Sequence, residues 1–280
     1  MTFESVAYES IPHALISGIA ISLLCSTIGL FLVLRKFSLF GDALAHSAFG
    51  GVAFGLFIGV YPIWTACVIA ILSALGLAKI RKRFDISGDA IVAILLATGL
   101  GAGVILVSLS DDLDMHDIEE FLFGAVVVDT TNVLEILVMS GIILTILFLT
   151  YKKFLYSTFS EEQAKVSGIH VEKLNYLLIA ISGVTVVISM QLVGVLLISA
   201  LFVIPNVSAM LYARSFKQTM ILSMSFAVSA TVLGILMSYQ FDIAQSGCIV
   251  VIAAAIFIGS LIIKSAGMIK TAGISPKTAR

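Results

Sequence analysis

Charge is scarce in this chain: Asp, Glu, Lys and Arg make up 12% of its 280 residues, while 60% are apolar. A soluble domain carries about a quarter charged residues and about half apolar ones, so a water-soluble globule is excluded. Cysteine is almost as rare. Cys25, Cys67 and Cys248 stand singly in apolar runs, form no CxxC pair and supply no disulfide framework; they read as small core residues. No GxxxxGK(S/T) loop occurs, so the chain lacks the backbone cradle of a P-loop nucleotide hydrolase. The first residues include Glu4 and Glu9 but no basic cluster, and no cleaved signal peptide is expected. The net charge of −1 is uninformative as a sum, and no nucleic acid is expected among the partners.

What is abundant is apolar sequence long enough to cross a bilayer. About 20 such residues make one helical span. Spans are expected at 13–34, 38–60, 62–80, 88–109, 132–150, 174–190, 193–212, 218–239 and 247–264. The boundary near Gln191 is weakly marked, so the count is eight or nine. The expected fold is all-α: a polytopic transmembrane helical bundle forming one domain over 1–280, with its core at 12–264 and a tail at 265–280.

The few cations are not scattered. They fall at Arg35 and Lys36; Lys79, Arg81, Lys82 and Arg83; Lys152, Lys153, Lys165 and Lys173; Arg214 and Lys217; and Lys264, Lys270, Lys277 and Arg280. With nine spans every group lies on one side, which the positive-inside rule makes the cytoplasm. Asp111, Asp112, Asp114, Asp117, Glu119, Glu120, Asp129 and Asp242 fall on the other. The N-terminus is then outside and the C-terminus cytoplasmic. The acidic segment 111–120 could attract cations or be an ordinary solvated loop. The apolar piece 121–128 is too short to span and reads as interfacial or re-entrant.

Within the second span, Asp42 and His46 lie one turn apart on one helix face. If Lys36 marks the surface, Asp42 lies roughly 9 Å deep and His46 roughly 15 Å, in an apolar core about 30 Å thick. A charged Asp there costs about 2.5–3.5 kcal/mol, and something must offset it. A carboxylate and an imidazole together are ligands for divalent Mn, Zn or Fe. Ala43, Ser47, Gly51, Gly55 and Gly59 repeat every four residues beside them, a small-residue ladder that admits a close neighbouring helix. That stripe is offset by about 100°, so one stripe can pack while the other faces a cavity.

Two further segments carry signals. In the longest internal loop, Ser160 and Gln163 fit a capping box and Gly168 a helix stop. The helix between them would carry Glu161, Glu162, Ala164 and Lys165; it is either a docking element or a simple connector. In the seventh expected span, Ser199 precedes Pro205 and Asn206. Pro205 removes a backbone hydrogen bond. Asn206 could satisfy the freed carbonyls or bond to another helix.

Four segments taken together resemble one family. They are Leu34 to His46 (LRKFSLFGDALAH), Phe121 to Gly124 (LFG after Phe121), Phe159 to Gly168 (FSEEQAKVSG) and Val193 to Pro205 (VGVLLISALFVIP). The chain is similar, over about 12–264, to the membrane permease subunit of the bacterial and archaeal ABC importers for manganese, zinc and iron. That resemblance implies a homodimer in a prokaryotic cell membrane, a cytoplasmic ATPase dimer that uses ATP, and an extracellular or periplasmic metal-binding protein. It implies metal coordination by Asp42 and His46, coupling through 160–168, and no permanently bound cofactor. Ser160 stands where the family often has Asp, and Asn206-Val207-Ser208 replaces a run of alanines. Two other readings compete: a proton-coupled secondary carrier using Asp42 and His46 as a relay, and a non-transporting membrane scaffold in which the pair is a structural hydrogen bond.

Overall fold

The computed structural model describes residues 3–84, 88–109, 121–124, 130–195 and 198–272. Where no water reaches the backbone, only helices satisfy every N–H and C=O within one segment. The long apolar runs accordingly become helices: α1 Phe3–Leu34, α2 Phe40–Ile58, α3 Pro62–Phe84, α4 Gly88–Ser108, α5 Thr130–Phe159, α6 Glu161–Val166, α7 Val171–Val193, α8 Ile198–Met210, α9 Phe216–Phe241 and α10 Gln245–Ala272. Eight of these are long and apolar enough to cross a membrane. The expected acidic segment 111–120, the stretch 125–128 and the end of the tail lie outside the described residues.

The helices α1, α2 and α7 are the most buried and form the interior, while α3, α4, α5, α9 and α10 present apolar surface outwards. Phe148 and Val251, for example, are exposed, as lipid-facing side chains should be. Two groups of helices pack around this interior. One places α2 between α3 and α4; the other sets α1 against α5, α8 and α9, with α10 behind. The helix α7 touches α1, α2 and α3 and joins the two groups.

The expected span at 193–212 is corrected. Among its described residues Val193 ends α7 and Ile198–Met210 forms a separate helix of 13 residues that reaches about 20 Å, short of the hydrocarbon thickness. The break has a local cause. Gly194 has φ 76 and ψ 161, a conformation open essentially to glycine alone. A Cβ there would also lie 2.6 Å from Gly124 N. Conversely, a Cβ on Gly124 would lie 2.9 Å from Leu192 C. The turn Phe121–Gly124 and the end of α7 therefore cross backbone to backbone, and the helix cannot run through. Counting apolar residues saw a continuous run; it could not see this crossing.

Although short, α8 still returns the chain. Down α1, a Cβ on Gly18 would meet Leu192, Cys25 Sγ lies 3.2 Å from Ser189 Oγ, and Gly29 faces Phe202 and Asn206. So α7 descends α1 in reverse residue order and α8 in forward order. They are antiparallel. The cations at 35–36, 79, 83, 152–173, 214–217 and 264 then share one end of the bundle, referred to here as the basic end.

Aromatic rings tie that end together. Phe31 of α1 lies 5.6 Å from Phe154 of α5 and 5.5 Å from Phe216 of α9, and Phe216 also meets Tyr151 at 5.9 Å. Such pairs contribute about 0.5–1.5 kcal/mol each beyond their buried area.

Replacing Gly194 by Ala should cost about 1–3 kcal/mol in backbone strain alone. A thermal melt of the purified protein should show a clearly lowered midpoint; an unchanged midpoint would mean that the crossing with Gly124 relaxes freely.

Candidate metal site at the start of the second helix

The link into α2 is a built turn. Phe37 N–H donates to Leu32 O (2.9 Å) and Lys36 N–H to Val33 O (3.0 Å), the paired bonds of a Schellman motif. Its left-handed position is held by Lys36 at φ 60 where glycine is usual. The helix α2 then begins at Phe40, two residues later than expected. A Cβ on Gly41 would meet the Phe202 ring at 3.5 Å, and Phe202 also faces Gly29, five residues before the end of α1. The start of α2 is thus recessed by roughly 8 Å from the basic end of α1. Asp42 falls in the first turn of α2, at about the depth the sequence suggested.

His46 Nε2 lies 3.8 Å from Asp42 Oδ1, too far for a hydrogen bond. The Asp42 side chain is 23% exposed and that of His46 9%. His46 Nδ1 is buried and has no hydrogen-bond partner. Buried polar atoms nearly always have one, so the imidazole is left with a nitrogen that the described residues do not satisfy. Among the described residues no group of three His, Cys, Asp or Glu is placed to hold a metal.

Both stripes of α2 are packed, which differs from the expectation of one packed and one open. On the first stripe, a Cβ on Gly51 would lie 2.7 Å from Ala66 Cα, and Gly55 abuts Pro62 and Thr65. That stripe faces α3. Gly59 has another part: it ends α2 in the left-handed region, with open space around it. The second stripe continues from Asp42 and His46 to Gly50, where a Cβ would lie 2.9 Å from Gly99 O of α4. A Cβ on Gly99 would in turn lie 2.8 Å from His46 C and O. Asp42 is the more exposed of the two side chains.

On α8, Ser199 is half-buried, as are Val203 and Val207 one and two turns on. Pro205 lies on the opposite side and Asn206, seven residues after Ser199, beside the stripe; both are buried. Asn206 Nδ2 donates to Phe202 O (2.8 Å) and its Oδ1 accepts from Ser223 Oγ of α9 (2.6 Å). The anticipated bond to another helix is present, whereas the anticipated bond to a carbonyl freed by Pro205 is not. The carbonyl it takes is Phe202 O, one residue beyond the Leu201 O that Pro205 leaves without a backbone donor.

The short helix α6 is capped as its sequence indicated. Ser160 Oγ accepts from Gln163 N–H (3.3 Å), and Gly168 at φ 79 carries the closing turn, with Ile169 N–H on Ala164 O (3.0 Å). Ala164 is fully buried against its neighbours, while Glu161 and Lys165 pair on the surface at 3.2 Å. Beside it sits a junction that sequence reasoning missed. Arg35 donates through Nη2 to Ser157 Oγ (2.6 Å), through Nε to Thr158 Oγ1 (3.2 Å) and through Nη1 to Asn175 Oδ1. Burial pushes its guanidinium down, and the nearby Glu161 carboxylate works against that. The sequence marked Arg35 only as a surface cation; nothing in the spacing of Ser157, Thr158 and Asn175 announced their convergence.

The residues 7–264 match the family described as ABC 3 transport family. The chain is 30% identical over 98% of its length to a chelated iron transport system membrane protein of Yersinia pestis, covering 92% of it. It is 30% identical over 91% of its length to a high-affinity zinc uptake system membrane protein of Haemophilus influenzae, covering 97% of it. Other relatives are named for manganese. A solved structure, PsaBC from Streptococcus pneumoniae in complex with Fab, superposes with a TM-score of 0.80 at 32% identity, over 89% of this chain and 90% of that one. The chain belongs to the ABC 3 transport family. It is a multi-pass inner-membrane permease subunit.

Replacing Gly99 by Ala should force α4 away from the His46 backbone, because the new Cβ would sit 2.8 Å from backbone atoms that cannot swing aside. Overpacking of this kind costs about 1–3 kcal/mol. The expected outcome is reduced transport with a lowered melting midpoint; the same change at Gly101, which has open space, should do neither.

Proposed function

We propose that the chain moves a divalent transition metal, Mn, Zn or Fe, into the cytoplasm by ATP-driven alternating access. The observation that carries this reading is the His46 imidazole, buried with Nδ1 unpartnered and Nε2 3.8 Å from Asp42 Oδ1. An ion about 2.1 Å from both atoms would bridge that gap at roughly 130°, and a small side-chain rotation would close the angle towards tetrahedral. Two ligands are too few for a metal. A second copy of the chain, related by a two-fold axis, would supply another Asp42 and His46. The ion's charge would then offset the carboxylates.

In this reading the basic end is cytoplasmic and the N-terminus outside. An ATPase dimer docks on the α6 segment from Ser160 to Gly168, an extracellular or periplasmic binding protein delivers the metal, and hydrolysis takes place on the ATPase alone. The half-exposed stripe of α8 that begins at Ser199 lines the route, with Pro205 behind it and Asn206 beside it tying the helix to α9. The whole of 1–280 acts as one permease domain. The relatives' names span iron, zinc and manganese, and carboxylate plus imidazole accommodates each.

Asp42→Ala and His46→Ala should each abolish radiometal uptake while leaving membrane insertion and complex assembly intact. Wild-type uptake by both variants would remove these residues from the metal role. Because imidazole must be neutral to ligate, acidifying the delivering side should weaken uptake in the wild type. The purified chain alone should hydrolyse no ATP.

A further inference from the structure

Arg35 stands seven residues before Asp42, at the turn that leads into α2. Its three hydrogen bonds do not go to α2. They go to Ser157 and Thr158 in the last turn of α5, and to Asn175 in the first turns of α7. These are the two arms on either side of α6, which runs from Glu161 to Val166. The guanidinium thus spans the base of the helix on which the proposed reading docks an ATPase. The chain from Arg35 onward is stiff: the Schellman bonds of Lys36 and Phe37 fix it to α1, and Phe40 N–H on Phe37 O carries the turn into α2. Among the described helices, the main other contact between the α5–α6–α7 corner and α2 is the body of α7.

We propose that Arg35 is a positioning residue that couples displacement of the α6 corner to the start of α2, and so to the geometry of Asp42 and His46. The inference rests on the proposed reading of α6 and of the Asp42/His46 pair. It assigns Arg35 no contact with the metal. A planar fork with donors in fixed directions holds three acceptors on two helices at once. An ammonium keeps the charge but loses that fork. The hydroxyl and amide partners carry no charge, and the Glu161 carboxylate is felt through its field rather than as one of the three partners, so the geometry of the fork sets the link.

The test uses the full complex with its ATPase, reconstituted in liposomes, and radiolabelled Mn²⁺ and Zn²⁺ as probes. Arg35→Lys, Arg35→Gln and Asn175→Ala are compared with wild type for ion bound without ATP, ATP hydrolysed, and ions moved per ATP. The expected result is a fall of about tenfold in ions moved per ATP, with binding within about twofold of wild type. Arg35→Lys should be as defective as Arg35→Gln. Asn175→Ala, which removes one arm only, should show the same signature more weakly, and it carries the test should the Arg35 variants fail to assemble. An unchanged ratio of ions to ATP in the assembled variants overturns the inference. So does a loss of binding, hydrolysis and transport together in proportion to a lowered melting midpoint, since that is what a purely structural clamp would give. An Asp42→Ala complex run beside them separates the two claims: uptake by that variant strikes the metal-site reading itself, whereas its silence together with a wild-type ratio for the Arg35 variants strikes only the coupling.

Discussion

The structure depends on how closely other backbones approach α2. Gly51 and Gly55 admit α3, and Gly50 with Gly99 admits α4. In a membrane, helices gain little from hydrophobic association, because lipid is as apolar as they are. Close van der Waals contact between small residues takes its place. Clamped on two sides, α2 cannot rotate to hide Asp42 and His46 against a third helix. The pair stays at the start of the stripe that meets α4, and the carbonyl of His46 is itself part of the clamp. The same glycines that make the bundle compact therefore fix the position of the polar pair.

A second consequence concerns the two groups of helices. The α2–α3–α4 group holds the pair, while the α1–α5–α8–α9 group holds the buried Asn206–Ser223 bond, the aromatic cluster around Phe216 and the corner at α6. Between them lie α7, the turn at Arg35–Phe37 and the Gly41–Phe202 contact. Rigid groups with few junctions are the usual substrate of alternating motion, since packed cores shift as bodies rather than deform continuously. Gly194 and Gly124 mark the opposite end of the same divide, where α7 stops and α8 begins.

Much of this was legible in the sequence, and for definite reasons. Eight long helices followed from apolar length, because hydrocarbon leaves the backbone no alternative. The caps of α6 followed from Ser160, Gln163 and Gly168, which act within a few residues of themselves. An equivalent signal, Ser215 with Gln218, starts α9 at Phe216 and would have moved that boundary two residues earlier. What stayed hidden depends on residues far apart in the chain. The break at Gly194 is set by Gly124, about seventy residues earlier. The Arg35 junction draws on positions more than 120 residues away. The covering of the Asp42 stripe by α4 depends on Gly99 and Gly103, two of three glycines at 99, 101 and 103, and nothing in the sequence says which of α2's stripes they meet.

The placement of Asp42 also bears on why a site of this kind can release what it holds. A carboxylate in the first turn of a helix gains from the partial positive charge of that terminus, by about 0.3–1 kcal/mol and up to about 2 when partly buried. Moving the charge into the membrane costs about 2.5–3.5 kcal/mol. The helix terminus and the partial exposure of Asp42 offset part of that cost, and His46, at 3.8 Å, adds no hydrogen bond. A deficit of about 1–3 kcal/mol is left, small against the free energy a resident metal site would supply. The empty pair is tolerable, so the protein need not keep an ion to stay folded. A cage of four protein ligands in one chain would bind tightly and hold. On the proposed reading, two ligands in one chain would bind strongly only when a matching surface is brought against them and let go when it is withdrawn.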